Sequence, residues 1–234
     1  MLTDHLWYPT EKIFVNGHWQ KPDSGNHVEL VNPSNGETIA NIALGNSRDI
    51  ESSVSAALNA MKGPWGKSTA VQRGRLLLRL SDLVKKRLNN LAYIESIDVG
   101  KPLTQSKNDA IALARYFEFY GGTSDKITGE TIPYLNGYTV YTLREPHGVT
   151  GHIVPWNYPM QIIGRTLGAA LAMGNACILK PSEEACLTAL AIGELAMEAG
   201  FPDGAINIVP GLGSEAGWNL SQHPAVRHLS FTGS

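Results

Sequence analysis

Four short segments hold the side chains best suited to chemistry, and each follows an apolar run. VPWNYP (154–159) sets one neutral amide, Asn157, between two aromatics and two prolines. ILKPSEE (178–184) places Lys180 and Glu183 three residues apart. PGLGSEAG (210–217) and FTGS (231–234) offer glycines beside small hydroxyls. An amide fixed by prolines can donate to an oxygen that acquires negative charge, as an oxyanion hole requires. The same Asn157 can instead cap the helical pattern that begins near Pro159, and local chemistry does not separate the two. A lysine at a strand's carboxyl end can reach a ribose hydroxyl or a phosphate. A carboxylate three residues on can accept from paired ribose hydroxyls. The competing reading is a solvated pair at a helix start, where a glutamate favours the dipole. The glycines of PGLGSEAG fall as G-x-G-x-x-x-G, one residue wider than the dinucleotide fingerprint, so a tight strand-to-helix turn explains them equally well.

Other candidates lose weight on inspection. GKST (66–69) resembles the tail of a phosphate loop, but Met61 stands where the pattern needs glycine and no strand precedes it. The segment reads as a helix cap instead. Cys177 and Cys186 sit in apolar surroundings without a neighbouring histidine, which suits small buried hydrophobes better than nucleophiles. The seven histidines show no metal spacing, and no metal site is expected. No Gly-x-Ser-x-Gly elbow is present. A net charge of -2 gives no electrostatic case for nucleic acid or an anionic membrane surface. Two cysteines cannot make a disulfide framework, and the first residues lack the pattern of a signal peptide. No apolar run is long enough to span a bilayer. A cytoplasmic protein is expected.

The elements that position these segments follow from periodicity. IFVNGHW, HVELVNP and TIANIAL alternate and are separated by Asn-Gly, Ser-Gly-Asn and Ser-Asn-Gly turns, which predicts hairpins. Ile50, Val54, Ala57 and Leu58 share one helical face, broken at Gly63-Pro64. Thr69 and Gln72 form a capping box ahead of Leu76, Leu77, Leu80, Leu83, Val84 and Leu88. A third helix is predicted over 109–120, ending at Gly121-Gly122. Residues 127–145 mix polar and apolar types on both sides of an Asn-Gly turn, which predicts an exposed hairpin that pairs with a protein partner. From Gly148 four apolar strands alternate with helical segments 159–173, 187–199 and 214–222. That pattern predicts an α/β fold with a doubly wound, parallel Rossmann-like sheet, whose ligands sit at the strands' carboxyl ends. All four candidate segments lie there. The expected divisions are 1–133 (strands and helices of the cofactor domain), 134–147 (protruding hairpin) and 148–234 (partial nucleotide-binding unit). FTGS leaves a crossover unfinished, so the sequence reads as truncated.

The order and spacing of these segments resemble the aldehyde dehydrogenase superfamily. EPHGVTGHIVPWNYP resembles the strand and Pro-Trp-Asn-Phe/Tyr-Pro turn of that family, and GNACILKPSE its Lys-Pro-Ser/Ala-Glu segment. GFPDGAINIVPGLGSEAG, VRHLSFTGS and NPSNGETIA match further segments, so the resemblance spans nearly the whole chain. It implies oxidation of a small-molecule aldehyde with NAD, with NADP less favoured because Glu183 repels a 2′-phosphate. In that scheme a cysteine thiolate attacks the carbonyl, and Asn157 donates to the resulting oxyanion. Ile153, Val154, Pro155 and Trp156 would line the cofactor cleft, and Lys180, Ser182 and Glu183 would hold the adenosine ribose. Gly213 and Ser214 would lie near the adenosine; Gly233 and Ser234 would meet the pyrophosphate. Tyr158, Ile162 and Arg165 lie on the helix that often lines the aldehyde tunnel. Arg165-Thr166 replaces a frequent Trp-Lys, and Ala169 a frequent proline. The family's nucleophilic cysteine and general-base glutamate match no position here. The chain is thus expected to be the N-terminal part of a homodimeric or homotetrameric enzyme, inactive alone, the alternative being a non-catalytic nucleotide- or partner-binding module.

Overall fold

The computed structural model describes residues 5–233. Its first hairpin joins β1 (Ile13–Val15) to β2 (His18–Gln20) through Asn16 and Gly17, both at positive φ (54° and 75°). A two-residue turn whose backbone matches the strand twist needs that conformation at both positions. β3 (His27–Val31) and β4 (Thr38–Ala43) form a separate antiparallel pair.

Helix α1 (Ser47–Lys62) begins at a capping box made by Asn46 and Asp49. Helix α2 (Ala70–Lys86) begins at the Thr69–Gln72 box, so GKST is a helix start. The apolar pattern extrapolated through Leu88 is two helices. The chain turns at Arg87 (φ -102°, ψ 15°), and α3 (Leu88–Val99) follows, closed by Gly100 in the left-handed region (φ 77°). Sequence periodicity missed α3 because neither glycine nor proline marks the break. Helix α4 (Leu103–Thr123) starts six residues before the expected Asp109 and continues through Gly121-Gly122. Those glycines do not end it, for a packing reason. A Cβ on Gly74 of α2 would stand 2.5 Å from the Gly121 carbonyl oxygen. Glycine lets the two backbones touch.

β5 (Thr131–Ile132) and β6 (Val140–Tyr141) form the exposed hairpin, with Tyr134, Tyr138 and Tyr141 open to solvent. Its pairing starts at Thr131, so a boundary at 134 cuts through it. The nucleotide-binding unit then runs β7 (Val149–Val154), α5 (Pro159–Ala172), β8 (Ala176–Pro181), α6 (Leu187–Ala199) and β9 (Ile206–Ile208). A π-helical turn over Gly213–Gly217, α7 (Trp218–Gln222) and β10 (Val226–Phe231) complete it. The sheet order is β10-β7-β8-β9-β1-β2, with the first four strands parallel. β1 adds antiparallel to β9 through Phe14 and Ile208, an extension that sequence reading did not anticipate.

The helices form two layers. α5 and α6 pack with α2, α3 and α4, whereas α1 and α7 pack on each other. Right-handed crossovers require this split, because the chain steps outward from β7 to β9 and then returns to the far side of β7. Strand β8 is buried along its whole length, as a strand covered on both faces must be. The reversal of strand order falls between β7 and β10. A crevice opens there, at the carboxyl ends of β7, β8 and β10.

Candidate active site

The crevice at that reversal is a cleft of about 460 Å³. It is lined by Ile153, Val154, Pro155, Trp156, Asn157, Lys180, Ser182, Phe231, Thr232 and Gly233. Three loops separated by up to 80 residues therefore meet in one place. A backbone bond draws two of them together: the Thr232 N–H donates to the Ile153 carbonyl at 3.1 Å, extending the β10–β7 pairing. Phe231 and Thr232 escaped sequence reading, which drew only the glycine and serine from FTGS. Ser234 lies outside the described residues.

Asn157 occupies the turn between β7 and α5 and is exposed. It does not cap the helix. Tyr158 is the N-cap of α5, makes no side-chain cap bond, and is followed by Pro159 at the first helical position. Proline is at home there because its missing N–H needs no partner. The Asn157 amide is thereby left to face the cleft.

Lys180 projects from the end of β8 and is 3% exposed, with Nζ donating to Glu183 Oε2 at 2.9 Å. Burial pushes the Glu183 carboxyl upward, but bonds from its own N–H, from Lys180 and from the Gly213 N–H outweigh it. Its pKa therefore lies below the ordinary glutamate value, and it is a carboxylate at neutral pH. The Gly213 N–H is near enough to favour the ionised carboxyl, so the PGLGS loop lies beside the KPSE loop. Gly213 and Ser214 do not themselves line the cleft, and Glu183 faces a neighbouring cavity of about 580 Å³. Trp156 forms a wall of both. A Cβ on Gly217 would lie 3.9 Å from Ile153 Cδ1 and 4.0 Å from Lys180 Cδ, so the π-helical turn rests directly behind the cleft floor.

Of the residues expected on a substrate-facing helix, Tyr158 and Arg165 are exposed and Ile162 is buried. The Tyr158 hydroxyl accepts from Gln105 Nε2 at 2.7 Å, and Lys101 Nζ stands 4.4 Å from its ring centroid. Below that ring lies a buried polar cluster that sequence reading missed. Lys101 Nζ bridges Glu95 Oε1 (3.1 Å) and Asp109 Oδ2 (2.7 Å). Gln161 donates to Asp109 Oδ1 at 2.6 Å and Thr188 to Glu95 Oε2 at 3.0 Å. All four carboxylate oxygens are satisfied. Burial nevertheless raises the Glu95 pKa from 4.5 to about 7, against the lowering effect of Lys101 and Thr188.

Both cysteines are fully buried. Burial raises the Cys177 thiol to about 12 and Cys186 well above its ordinary value. Neither is a thiolate at neutral pH, and neither lines the cleft. Among the described residues no group of three metal-binding side chains occurs. No helix among them is long and apolar enough to cross a membrane.

Residues 19–234 match the sequence model of the aldehyde dehydrogenase family. The chain belongs to the aldehyde dehydrogenase family. Aldehyde dehydrogenase family 2 member B4, mitochondrial, from Arabidopsis thaliana is 45% identical over 225 residues, covering 95% of this chain and 42% of that one. A solved structure assigned to the aldehyde dehydrogenases, from Burkholderia cenocepacia, is 58% identical and superimposes with a TM-score of 0.94. It covers 95% of this chain and 47% of its own. The NAD+ complex of an aldehyde dehydrogenase from Bacillus cereus is 37% identical with a TM-score of 0.96, covering 100% and 48%. The chain thus spans about half the length of the aldehyde dehydrogenases it matches.

Proposed function

We propose that this chain is the cofactor-binding part of an enzyme that oxidises a small aldehyde to a carboxylic acid with NAD+. The observation that carries the proposal is the meeting of Asn157, Lys180, Ser182 and Gly233 around one cleft where the strand order reverses. Ligands of open parallel sheets bind at that place.

The residues fit a dinucleotide. Lys180 is a buried amine at the cleft, able to donate to a ribose hydroxyl. Glu183 is an anion that can accept from paired ribose hydroxyls. Gly233 adopts φ 157°, which L side chains rarely do, and it lines the cleft, where a residue without a side chain leaves its backbone open to a phosphate. Glu183 disfavours a 2′-phosphate, which makes NAD+ the preferred cofactor over NADP+. Bound NAD+ supplies the oxidant that takes the hydride from the substrate carbon.

Asn157 acts on the substrate oxygen. When a nucleophile adds to the aldehyde carbon, that oxygen gains negative charge, and a preorganised amide donor stabilises it. One such donor contributes about 3 kcal/mol to lowering the barrier. In this reading the nucleophile is a cysteine thiolate, a role that Cys177 and Cys186 do not fit, being buried with thiol pKa values pushed up. The whole protein works as a cytoplasmic homodimer or homotetramer, assembled in part through the β5–β6 hairpin. Titrating this chain with NAD+ while following Trp156 fluorescence, and assaying the complete protein for NADH production from aldehydes, tests the reading. Saturable NAD+ binding with turnover only in the complete protein is expected. No fluorescence change at millimolar NAD+ contradicts it.

A further inference from the structure

We propose that Lys101 is a positioning residue for Asn157: with Glu95 and Asp109 it forms a buried charge cluster that anchors the Asn157 turn through Tyr158 and Gln161. The inference rests on Asn157 being the oxyanion donor. It assigns a task to residues that touch neither cofactor nor substrate.

The turn needs an anchor on its helical side. Upstream, Val154 is fixed by pairing with Pro181 of β8. Downstream, α5 starts without any side-chain cap; its local bond at Tyr158 is the backbone one, the Ile162 N–H donating to the Tyr158 carbonyl at 3.1 Å, and it leaves the side chains of the turn unheld. Two side chains supply the missing restraint. The Tyr158 ring is held over Lys101 Nζ at 4.4 Å, and its hydroxyl is held by Gln105 of α4. Gln161, in the first turn of α5, is held by Asp109 of α4 at 2.6 Å. Both restraints converge on Lys101. Its side chain is 8% exposed and is gripped by carboxylates that are 0% and 2% exposed.

Stability alone is a poor explanation for such a cluster. Burying charges costs desolvation energy, and well-packed apolar residues usually serve as well or better. What charged groups at 2.7 and 3.1 Å add is direction, and the direction here runs to the residue next to Asn157. The cluster joins α3, the α3–α4 turn, α4, α5 and α6 in one bonded set, so the amide is referenced to a rigid layer. A misplacement on the order of 1 Å is enough to cost about a hundredfold in rate.

The test is a double-mutant cycle in the complete protein, with Lys101→Met, Asn157→Ala and the pair, reading kcat, aldehyde KM and NAD+ Kd. Lys101→Met combined with Glu95→Gln and Asp109→Asn gives a second form in which neither carboxylate of the cluster is left buried without its cation, should the single variant not fold. The positioning role predicts that removing Lys101 lowers kcat about tenfold with NAD+ Kd within about twofold, and that the loss vanishes in the Asn157→Ala background. Equal loss in both backgrounds, or unchanged kcat in a folded variant, overturns the inference. Wild-type kcat in Asn157→Ala alone removes the donor reading itself and the inference with it.

Discussion

Glu95 makes the stability of the protein depend on pH in a direction opposite to that of an ordinary paired carboxylate. Its folded pKa of about 7 lies above its ordinary 4.5, with burial as the leading cause. The folded state therefore holds a proton that the unfolded state releases. The associated stabilisation is fully present below about pH 4.5 and is lost as pH rises through about 7. A gap of about 2.5 pH units at about 1.4 kcal/mol each amounts to between about 3 and 4 kcal/mol in full, of which about 3 is expressed between pH 4.5 and 8. Glu95→Gln cannot ionise, yet its amide keeps partners for Lys101 and Thr188. Between pH 4.5 and 8 the wild type should thus lose about 3 kcal/mol relative to the variant. The buried His152, whose pKa falls to about 3 through burial and the nearby His228, loses stability on the acid side instead. That contribution is common to both proteins and cancels. Guanidinium unfolding at pH 5 and pH 8 measures the difference, compared at each pH so that any constant cost of the substitution drops out. Parallel stability curves for the two proteins refute the reasoning, because they mean that Glu95 ionises at its ordinary pKa.

Two further outcomes follow from the cleft and its surroundings. Glu183→Gln should narrow the preference for NAD+ over NADP+ by about tenfold. Like charges about 4 Å apart repel by about 4 kcal/mol at an effective dielectric of about 20, and the carboxylate's partial exposure reduces that to about 1–2 kcal/mol; parallel fluorescence titrations with the two cofactors read it. Cys177 and Cys186 should react with a thiol reagent only as fast as the protein opens, since both are fully buried and protonated. Labelling at the rate of a free thiol under native conditions contradicts that burial.

The parallel sheet was legible because its strands are apolar on both faces and its helices carry turn and cap signals at their ends. Gly200 past α6 and the Thr69–Gln72 box are local features with local causes, and the structure has both. What escaped lacks any local mark. The β1–β9 pairing joins residues some 190 positions apart through a three-residue strand with no pattern that names its partner. Helix α3 was hidden because the apolar stripe of α2 runs unbroken across Arg87. Gly121-Gly122 reads as a helix end until Gly74 is known to press against it. In the site, Asn157 could be located but not assigned by local chemistry, since a cap and a donor demand the same residue in the same turn. The N-cap of α5 is Tyr158, one residue later, which removes the cap reading. Lys101, Glu95 and Asp109 each resemble solvated helix charges in sequence, and only the packing of α3 against α4 and α6 brings them inside.

The central claim is that the amide of Asn157 stabilises charge on the reacting oxygen while the rest of the cleft holds the cofactor. Asn157→Ala in the complete protein tests it most directly, with kcat for aldehyde oxidation and Kd for NAD+ measured on the same preparation. The account predicts kcat lower by about a hundredfold or more with cofactor affinity nearly unchanged. Turnover at the wild-type rate, or a loss of NAD+ affinity large enough to explain the lower rate, contradicts it.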